Sequence, residues 1–108
     1  MDTVENSNFC PVCGYDLGFP PWREASASDE ICPCCGIQFG YHDAAGGNTK
    51  RRSLIYKRWR QQWIEGGMRW NKGRSQPPSR WDPITQLQQI GIHLNKSNPK
   101  NYGDAKLN

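Results

Sequence analysis

Two short segments of the chain alternate apolar and polar positions with a period of two. Their apolar members are Tyr15, Leu17, Phe19, Ile37, Phe39 and Tyr41. Such alternation is typical of half-buried β-strands. Pro20-Pro21 ends the first segment, and residues 26–29 have the small, polar composition of a loop. We therefore expect a small antiparallel β-ribbon in the N-terminal half.

The pattern changes to helical spacing after residue 48. The apolar positions that follow are Leu54, Ile55, Tyr56, Trp59, Trp63 and Ile64. Steps of one, three and four residues predict an amphipathic helix over residues 49–66. Asn48 or Thr49 is suited to cap its N-terminus, and Gly66-Gly67 is suited to end it.

Residues 82–90 predict a second, shorter helix. Asp82 is a favourable N-cap, Pro83 suits the first helical position, and Gly91 is suited to end the helix. The preceding residues 68–81 hold glycine, proline and two tryptophans, which favours an ordered loop. Residues 1–8 and 93–108 are polar, and we expect a flexible N-terminus and a polar tail on either side of one domain at 9–92.

Four cysteines have the spacing of a metal site. Cys10 and Cys13 form one C-x2-C pair, and Cys32 and Cys35 form a second pair after 18 intervening residues. Two thiolates three positions apart reach one ion when the backbone turns tightly, and a glycine follows each pair to permit the positive φ of such a turn. The pattern therefore predicts one tetrahedral site with these four ligands, in a zinc-ribbon part over residues 9–45.

The two cysteine pairs also belong to an internal repeat. A shift of 22 residues aligns residues 9–19 with residues 31–41 and superposes identical Cys, Pro, Cys and Gly positions. In this register the fifth cysteine, Cys34, stands opposite Val12. We expect Cys34 to act as a small buried hydrophobic side chain and not as a ligand.

The ligand type limits the choice of metal. Four thiolates accept zinc or iron, and the paired cysteines resemble those of zinc ribbons and of rubredoxins alike. We expect one structural zinc ion, because most closed four-cysteine sites of this size are structural, and iron is the alternative. A site closed by four protein ligands leaves no open position for a substrate or an activated water molecule.

The composition predicts that the first half of the chain needs a metal in order to fold. Leu, Ile, Val and Phe total 17 of 108 residues, below the roughly 20% at which a hydrophobic core becomes doubtful. A zinc ion on four thiolates contributes on the order of 10–16 kcal/mol, comparable with the whole stability of a typical domain, about 5–15 kcal/mol. No secretory signal and no long apolar run is visible, so we expect a soluble, cytoplasmic protein that does not enter membranes.

The net charge of +4 conceals a division of the chain. Residues 1–48 hold one cation and seven anions, whereas residues 49–108 hold thirteen cations and three anions. A basic half suits a nucleic-acid contact, for which the candidates are Lys50, Arg51, Arg52, Lys57, Arg58 and Arg60. The alternative is a solvated basic face on a helix whose tryptophans fill the core.

Four stretches carry a resemblance to a known family. They are Cys-Pro-Val-Cys-Gly-Tyr, Ile-Cys-Pro-Cys-Cys-Gly-Ile-Gln-Phe-Gly-Tyr, Arg-Trp-Arg-Gln-Gln-Trp-Ile-Glu-Gly-Gly-Met-Arg-Trp and Pro-Pro-Ser-Arg-Trp-Asp-Pro-Ile-Thr-Gln-Leu. Over residues 9–90 the chain resembles small, uncharacterised bacterial cysteine-rich proteins of the Cys-Pro-Cys-Cys type. The resemblance implies a fold class and a metal site, and it implies no activity.

The sequence thus predicts a small α+β protein. Its parts are a two-knuckle zinc ribbon with short antiparallel strands, one amphipathic helix and a shorter C-terminal helix. No catalytic motif is visible, and His42 and His93 are expected to be ordinary histidines because four cysteines complete the site. We expect a non-catalytic interaction module with a protein partner and no small-molecule substrate. The alternatives are a nucleic-acid-binding zinc ribbon and a rubredoxin-like iron electron carrier.

Overall fold

Two cysteine-bearing hairpins, a two-stranded sheet and two helices make up the fold. The computed structural model describes residues 7–71 and 75–94. Along this part of the chain lie β1 (Trp22–Arg23), β2 (Ser26–Ala27), a 3-10 turn at Ala45–Gly47, α1 (Thr49–Glu65) and α2 (Pro83–Gln88). The chain is therefore a small α+β protein. The polar segments predicted at residues 1–8 and 93–108 fall mostly outside the described residues.

The two hairpins, knuckle 1 (residues 9–16) and knuckle 2 (residues 31–38), repeat one hydrogen-bonding scheme 22 residues apart. The Cys10 N–H donates to the Tyr15 carbonyl, and the Cys32 N–H donates to the Ile37 carbonyl, both at 2.8 Å. A single antiparallel bridge closes each knuckle, between residues 9 and 16 and between residues 31 and 38. The internal repeat of the sequence is thus a repeat of the backbone.

The β-strands lie elsewhere than the alternating pattern predicts. In the described residues the predicted ribbon segments pair only through the single bridges of the knuckles. The sheet instead pairs Trp22 with Ala27 and Arg23 with Ser26, so that part of the predicted loop is β2. Gly18 (φ 86°) and Gly40 (φ 92°) adopt left-handed backbone soon after each knuckle, and such a residue interrupts a regular strand.

Both helices begin at the residues their caps predict. The Asn48 side chain accepts the Arg51 N–H at 3.0 Å and starts α1, which extends to Glu65. The Asp82 carboxylate accepts the Ile84 N–H at 3.1 Å, with Pro83 in the first turn of α2. The second helix is shorter than the predicted residues 82–90, because residues 89–91 form turns after Gln88.

The buried side chains form two clusters. The larger cluster consists of Phe39 and the knuckle residues Cys10, Val12, Cys13, Cys32, Cys34 and Ile37. The smaller cluster joins Ile64 of α1 and Leu87 of α2 to Met68 and Leu94. Leu94 is 9% exposed.

Five partly buried tryptophans surround the cysteine-rich cluster. All of them, Trp22, Trp59, Trp63, Trp70 and Trp81, pack against it. Each indole N–H donates to a protein oxygen at 2.7–3.0 Å. A ring that buries apolar area while its polar edge is satisfied stabilises a core that is short of aliphatic residues.

A buried carboxylate connects the β1–β2 region to α1. Asp43 is fully buried and accepts the Trp22 indole N–H at 2.8 Å and the Tyr56 hydroxyl at 2.6 Å. The Gly40 N–H also donates to it, at 2.6 Å. Burial and the hydrogen bond to Asp43 raise the pKa of Tyr56 above its ordinary value of 10.0.

Removing the Tyr56 hydroxyl is expected to destabilise the fold. Tyr56→Phe leaves the buried Asp43 carboxylate one donor short, which costs about 1–3 kcal/mol. Because the folded-state pKa of Tyr56 is raised, this advantage is fully present below about pH 10 and shrinks at higher pH. Urea denaturation at about pH 8 and above about pH 10 measures both effects.

The matched control for this experiment is Tyr41→Phe, because Tyr41 is 73% exposed. Its change in unfolding free energy should stay within about 0.5 kcal/mol. Equal effects of the two substitutions would contradict a structural role for the Tyr56–Asp43 hydrogen bond.

Candidate metal centre

Four cysteine sulfurs converge between the two knuckles. The Sγ atoms of Cys10, Cys13, Cys32 and Cys35 all lie within 4.8 Å of one another. Cys10 Sγ is 3.7 Å from Cys35 Sγ, and Cys13 Sγ is 3.7 Å from Cys32 Sγ. Metal–sulfur bonds of about 2.3 Å in a tetrahedron require sulfur separations of about 3.8 Å. The group can therefore hold a metal ion.

Local backbone structure aims each pair of sulfurs at the same point. Within knuckle 1 the Gly14 N–H donates to the Cys10 carbonyl at 2.8 Å, and within knuckle 2 the Gly36 N–H donates to the Cys32 carbonyl at 2.9 Å. Gly14 and Gly36 have φ of 85° and 84°, a conformation that costs glycine little and other residues more. The short sulfur contacts join the first cysteine of one knuckle to the second cysteine of the other.

Burial disfavours four thiolates at this place unless a cation binds between them. Cys10, Cys13 and Cys32 are buried, and Cys35 is partly buried. Burial raises the pKa of Cys13 and of Cys35 well above the ordinary thiol value. Hydrogen bonds from the Cys10, Cys13 and Cys35 thiols lower the pKa of Cys32. Four negative charges at this spacing are stable only around a positive ion, which is what a thiolate metal site supplies.

The fifth cysteine lies outside the four-sulfur group. Cys34 is fully buried, and its sulfur accepts a hydrogen bond from Gln86 Nε2 at 3.3 Å. The same amide nitrogen donates to the Cys13 carbonyl at 3.0 Å, and the Trp81 indole N–H fixes the other end of the amide at 2.8 Å. Cys34 thus packs against α2 and is not among the candidate ligands.

Helix α1 holds both knuckles by hydrogen bonds to their carbonyl groups. Arg60 is only 7% exposed, and its guanidinium donates to the carbonyls of Val12 at 2.8 Å and Pro11 at 2.9 Å. The Trp59 indole N–H donates to the Cys35 carbonyl at 3.0 Å. The backbone between and beside the candidate ligand cysteines is therefore held in place by hydrogen bonds from α1, and outer hydrogen bonds of this kind orient the ligands of metal sites.

Helix α2 and the loop before it complete this support. Gln89 Nε2 donates to the Gly14 carbonyl at 3.1 Å, and the Asn71 N–H donates to the Cys34 carbonyl at 2.9 Å. A Cβ at Gly14 would lie 2.3 Å from the Gln86 carbonyl oxygen. Gly14 is therefore required twice, by its positive φ and by the close approach of α2.

Of the six basic residues predicted as a nucleic-acid surface, four are exposed and two are engaged in contacts within the protein. Lys50, Arg51, Lys57 and Arg58 are exposed on α1. Arg60 is not available, because its guanidinium is buried against knuckle 1. Arg52 is also engaged: it donates to the carbonyls of Asp43 and Ala44, and it lies 3.7 Å from the centre of the Trp22 ring.

Neither histidine belongs to the sulfur group. His42 Nδ1 accepts the Gln38 N–H at 2.9 Å, and the ring lies 4.6 Å from that of Trp59. His93 is exposed. His42 therefore supports knuckle 2 from its outer side.

Comparison with known proteins adds no relative. No protein-family model matches this chain, and no curated protein or solved structure matches it. The evidence for the candidate metal centre is accordingly its own geometry, and the resemblance to Cys-Pro-Cys-Cys proteins stays a prediction. Within the described part of the chain, no helix is long and apolar enough to cross a bilayer.

Replacing one ligand is expected to abolish tight metal binding. Cys13→Ser removes one of the four sulfurs, whereas Cys34→Ser changes an adjacent buried thiol outside the group. We expect the first variant to lose most bound metal and to unfold in part, because binding and folding are coupled. The second should keep wild-type metal content. Competition with a chromogenic chelator and circular dichroism measure both, and equal metal loss from the two variants would contradict the assignment.

Replacing Arg60 is expected to lower the free energy of unfolding more than replacing an exposed neighbour. Arg60→Met leaves the Val12 and Pro11 carbonyls without their donors, a loss of about 1–3 kcal/mol in unfolding free energy. Arg58→Met alters an exposed side chain two residues earlier and should stay within about 0.5 kcal/mol. Chemical denaturation of the metal-loaded proteins tests the difference. Similar stabilities would mean that the buried guanidinium is dispensable.

Proposed function

We propose that this chain is a non-catalytic interaction module in which four cysteines hold one structural zinc ion. The observation that supports the proposal is the convergence of Cys10, Cys13, Cys32 and Cys35 within 4.8 Å. Four thiolates complete a tetrahedron, so a bound ion has no open position for substrate or water. The partner that we propose is another protein.

The contacts around the sulfur group support a structural role for the ion. Arg60, Trp59 and Gln86 all donate to carbonyl groups of the knuckles. Positions of α1 and α2 therefore depend on the shape of the knuckles, which an ion would fix. Thiolate ligands must stay reduced, so the proposal includes a reducing compartment such as the cytoplasm.

Iron is the competing metal. Four thiolates bind either metal, and an iron-loaded protein would point to electron transfer in place of interaction. Elemental analysis identifies the metal, and cyclic voltammetry tests whether it transfers electrons. A red protein with reversible one-electron chemistry would contradict the zinc proposal and favour an iron electron carrier.

Nucleic acid is the competing partner. The exposed residues Lys50, Arg51, Lys57 and Arg58 on α1 favour it, whereas the engagement of Arg52 and Arg60 in the core reduces the number of cations that can reach phosphates. Phosphate contacts give an affinity that falls steeply with salt. Binding to a mixed-sequence duplex at about 50 mM salt, lost at about 200 mM, would favour this rival.

Elemental analysis and a chelator test the proposal together. Protein from cells grown with both metals should contain about one zinc per chain. A strong chelator should reduce the helical circular dichroism and shift tryptophan emission to the red, and added zinc should restore both. The same treatment should release the protein that co-purifies from the native host. A folded, metal-free protein would overturn the metal site, and metal-independent capture would overturn its role in interaction.

A further inference from the structure

A groove of about 790 Å³ separates knuckle 1 and the β1–β2 region from α1 and the end of α2. Phe9, Trp22, Tyr56 and Ile90 contribute its apolar and aromatic lining. The volume lies in the range of about 300–1,000 Å³ that is typical of ligand sites. None of the four ligand cysteines lines the groove, so it is distinct from the metal centre.

Four charged residues line the groove, and two of them are engaged elsewhere. Arg52 and Arg60 donate to backbone carbonyls. Lys57 on α1 and Glu24 on the β1–β2 turn are exposed. The accessible charge of the groove is therefore one cation on α1 and one anion on the β1–β2 turn.

This charge distribution favours a peptide over a nucleic acid. A polyanion needs several cations along its backbone, and the Glu24 carboxylate would repel its phosphates. A peptide segment can instead place one carboxylate against Lys57 and a backbone N–H or a basic side chain against Glu24. The exposed Lys50, Arg51 and Arg58 outside the groove would attract an acidic segment at longer range.

The aromatic side chains Trp22 and Tyr56 are held in place by contacts with neighbouring residues. The Trp22 indole N–H and the Tyr56 hydroxyl both donate to the buried Asp43 carboxylate, and the Arg52 guanidinium covers one face of Trp22. Side chains that are fixed before binding lose less conformational entropy when a ligand arrives. The groove is therefore preorganised for a large apolar side chain.

We propose that this groove binds a short extended segment of a partner protein in which a large apolar residue lies next to an aspartate or glutamate. The apolar residue contacts Trp22 and Tyr56, and the carboxylate pairs with Lys57. The inference rests on the proposed interaction function and assigns the place where the partner binds.

Selection from a phage library of random decapeptides, with the metal-loaded protein as bait, tests the groove. Enriched peptides should share an apolar residue beside an acidic one. A synthetic peptide of the enriched sequence should bind the Lys57→Glu variant about tenfold more weakly than the wild type. The Ser53→Trp variant should show the same loss of affinity, because the new side chain fills the groove from an exposed position. Arg58→Glu and Leu54→Trp make the same changes on the outer face of α1 and should alter affinity less than about twofold.

The Trp22 indole N–H resonance supplies a readout of the binding place. It should shift on peptide addition, while that of Trp63, which donates to the Arg69 carbonyl away from the groove, should not. No enriched peptide, or equal binding to Lys57→Glu and wild type, would overturn the proposal. Single-stranded DNA is then added as a competitor of the peptide. If it displaces the peptide, and if Lys57→Glu and Arg58→Glu weaken DNA binding equally, the surface binds nucleic acid instead.

Two results distinguish a wrong binding site from a wrong proposal of the interaction function. If a protein captured from the native host binds wild type and Lys57→Glu alike but is released by the chelator, the groove is wrong and the function stands. If the chelator leaves capture unchanged while Lys57→Glu abolishes it, the groove stands and the metal is not needed for interaction.

Discussion

The meeting of four sulfurs between two knuckles is the constraint on which the remaining structure depends. Each knuckle is a local turn that its own backbone hydrogen bonds close. Joining them brings four sulfurs within 4.8 Å, an arrangement that can hold a metal ion. Once joined, the knuckles present a set of carbonyl groups, and side chains of the second half of the chain donate to these groups.

Polar side chains do much of the work that aliphatic residues do in larger cores. Arg60 and Gln86 are buried and donate to knuckle carbonyls, and Asp43 accepts three hydrogen bonds. Every buried side-chain nitrogen and oxygen of the described residues has a partner. Such a network is stable only when it is complete, because a buried polar group without a partner is costly. The arrangement thus favours one specific structure over loosely packed alternatives.

Helix α1 has one face that packs against the knuckles and another that lies in solvent. Trp59 and Arg60 face the knuckles and fix their backbone, whereas Lys50 and Arg58 face solvent. Lys57 lies between these faces, at the edge of the groove. A charge count over the helix treats all its cations alike, although their surroundings give them different chemistry. The interaction surface that we propose follows from this difference.

The sequence by itself determined the features that short segments encode. Cysteine spacing, the 22-residue repeat and the helix caps at Asn48 and Asp82 depend on neighbours within a few residues, and the structure bears out each of these local patterns. The strands are local as well, because the sheet pairs Trp22 with Ala27, although the alternating pattern did not predict their place. Only the tertiary structure decided the roles of Arg60 and Gln86. Those features depend on contacts between residues about 50 to 75 positions apart, such as an arginine finding a carbonyl in knuckle 1, and no local pattern of residue types records such a contact.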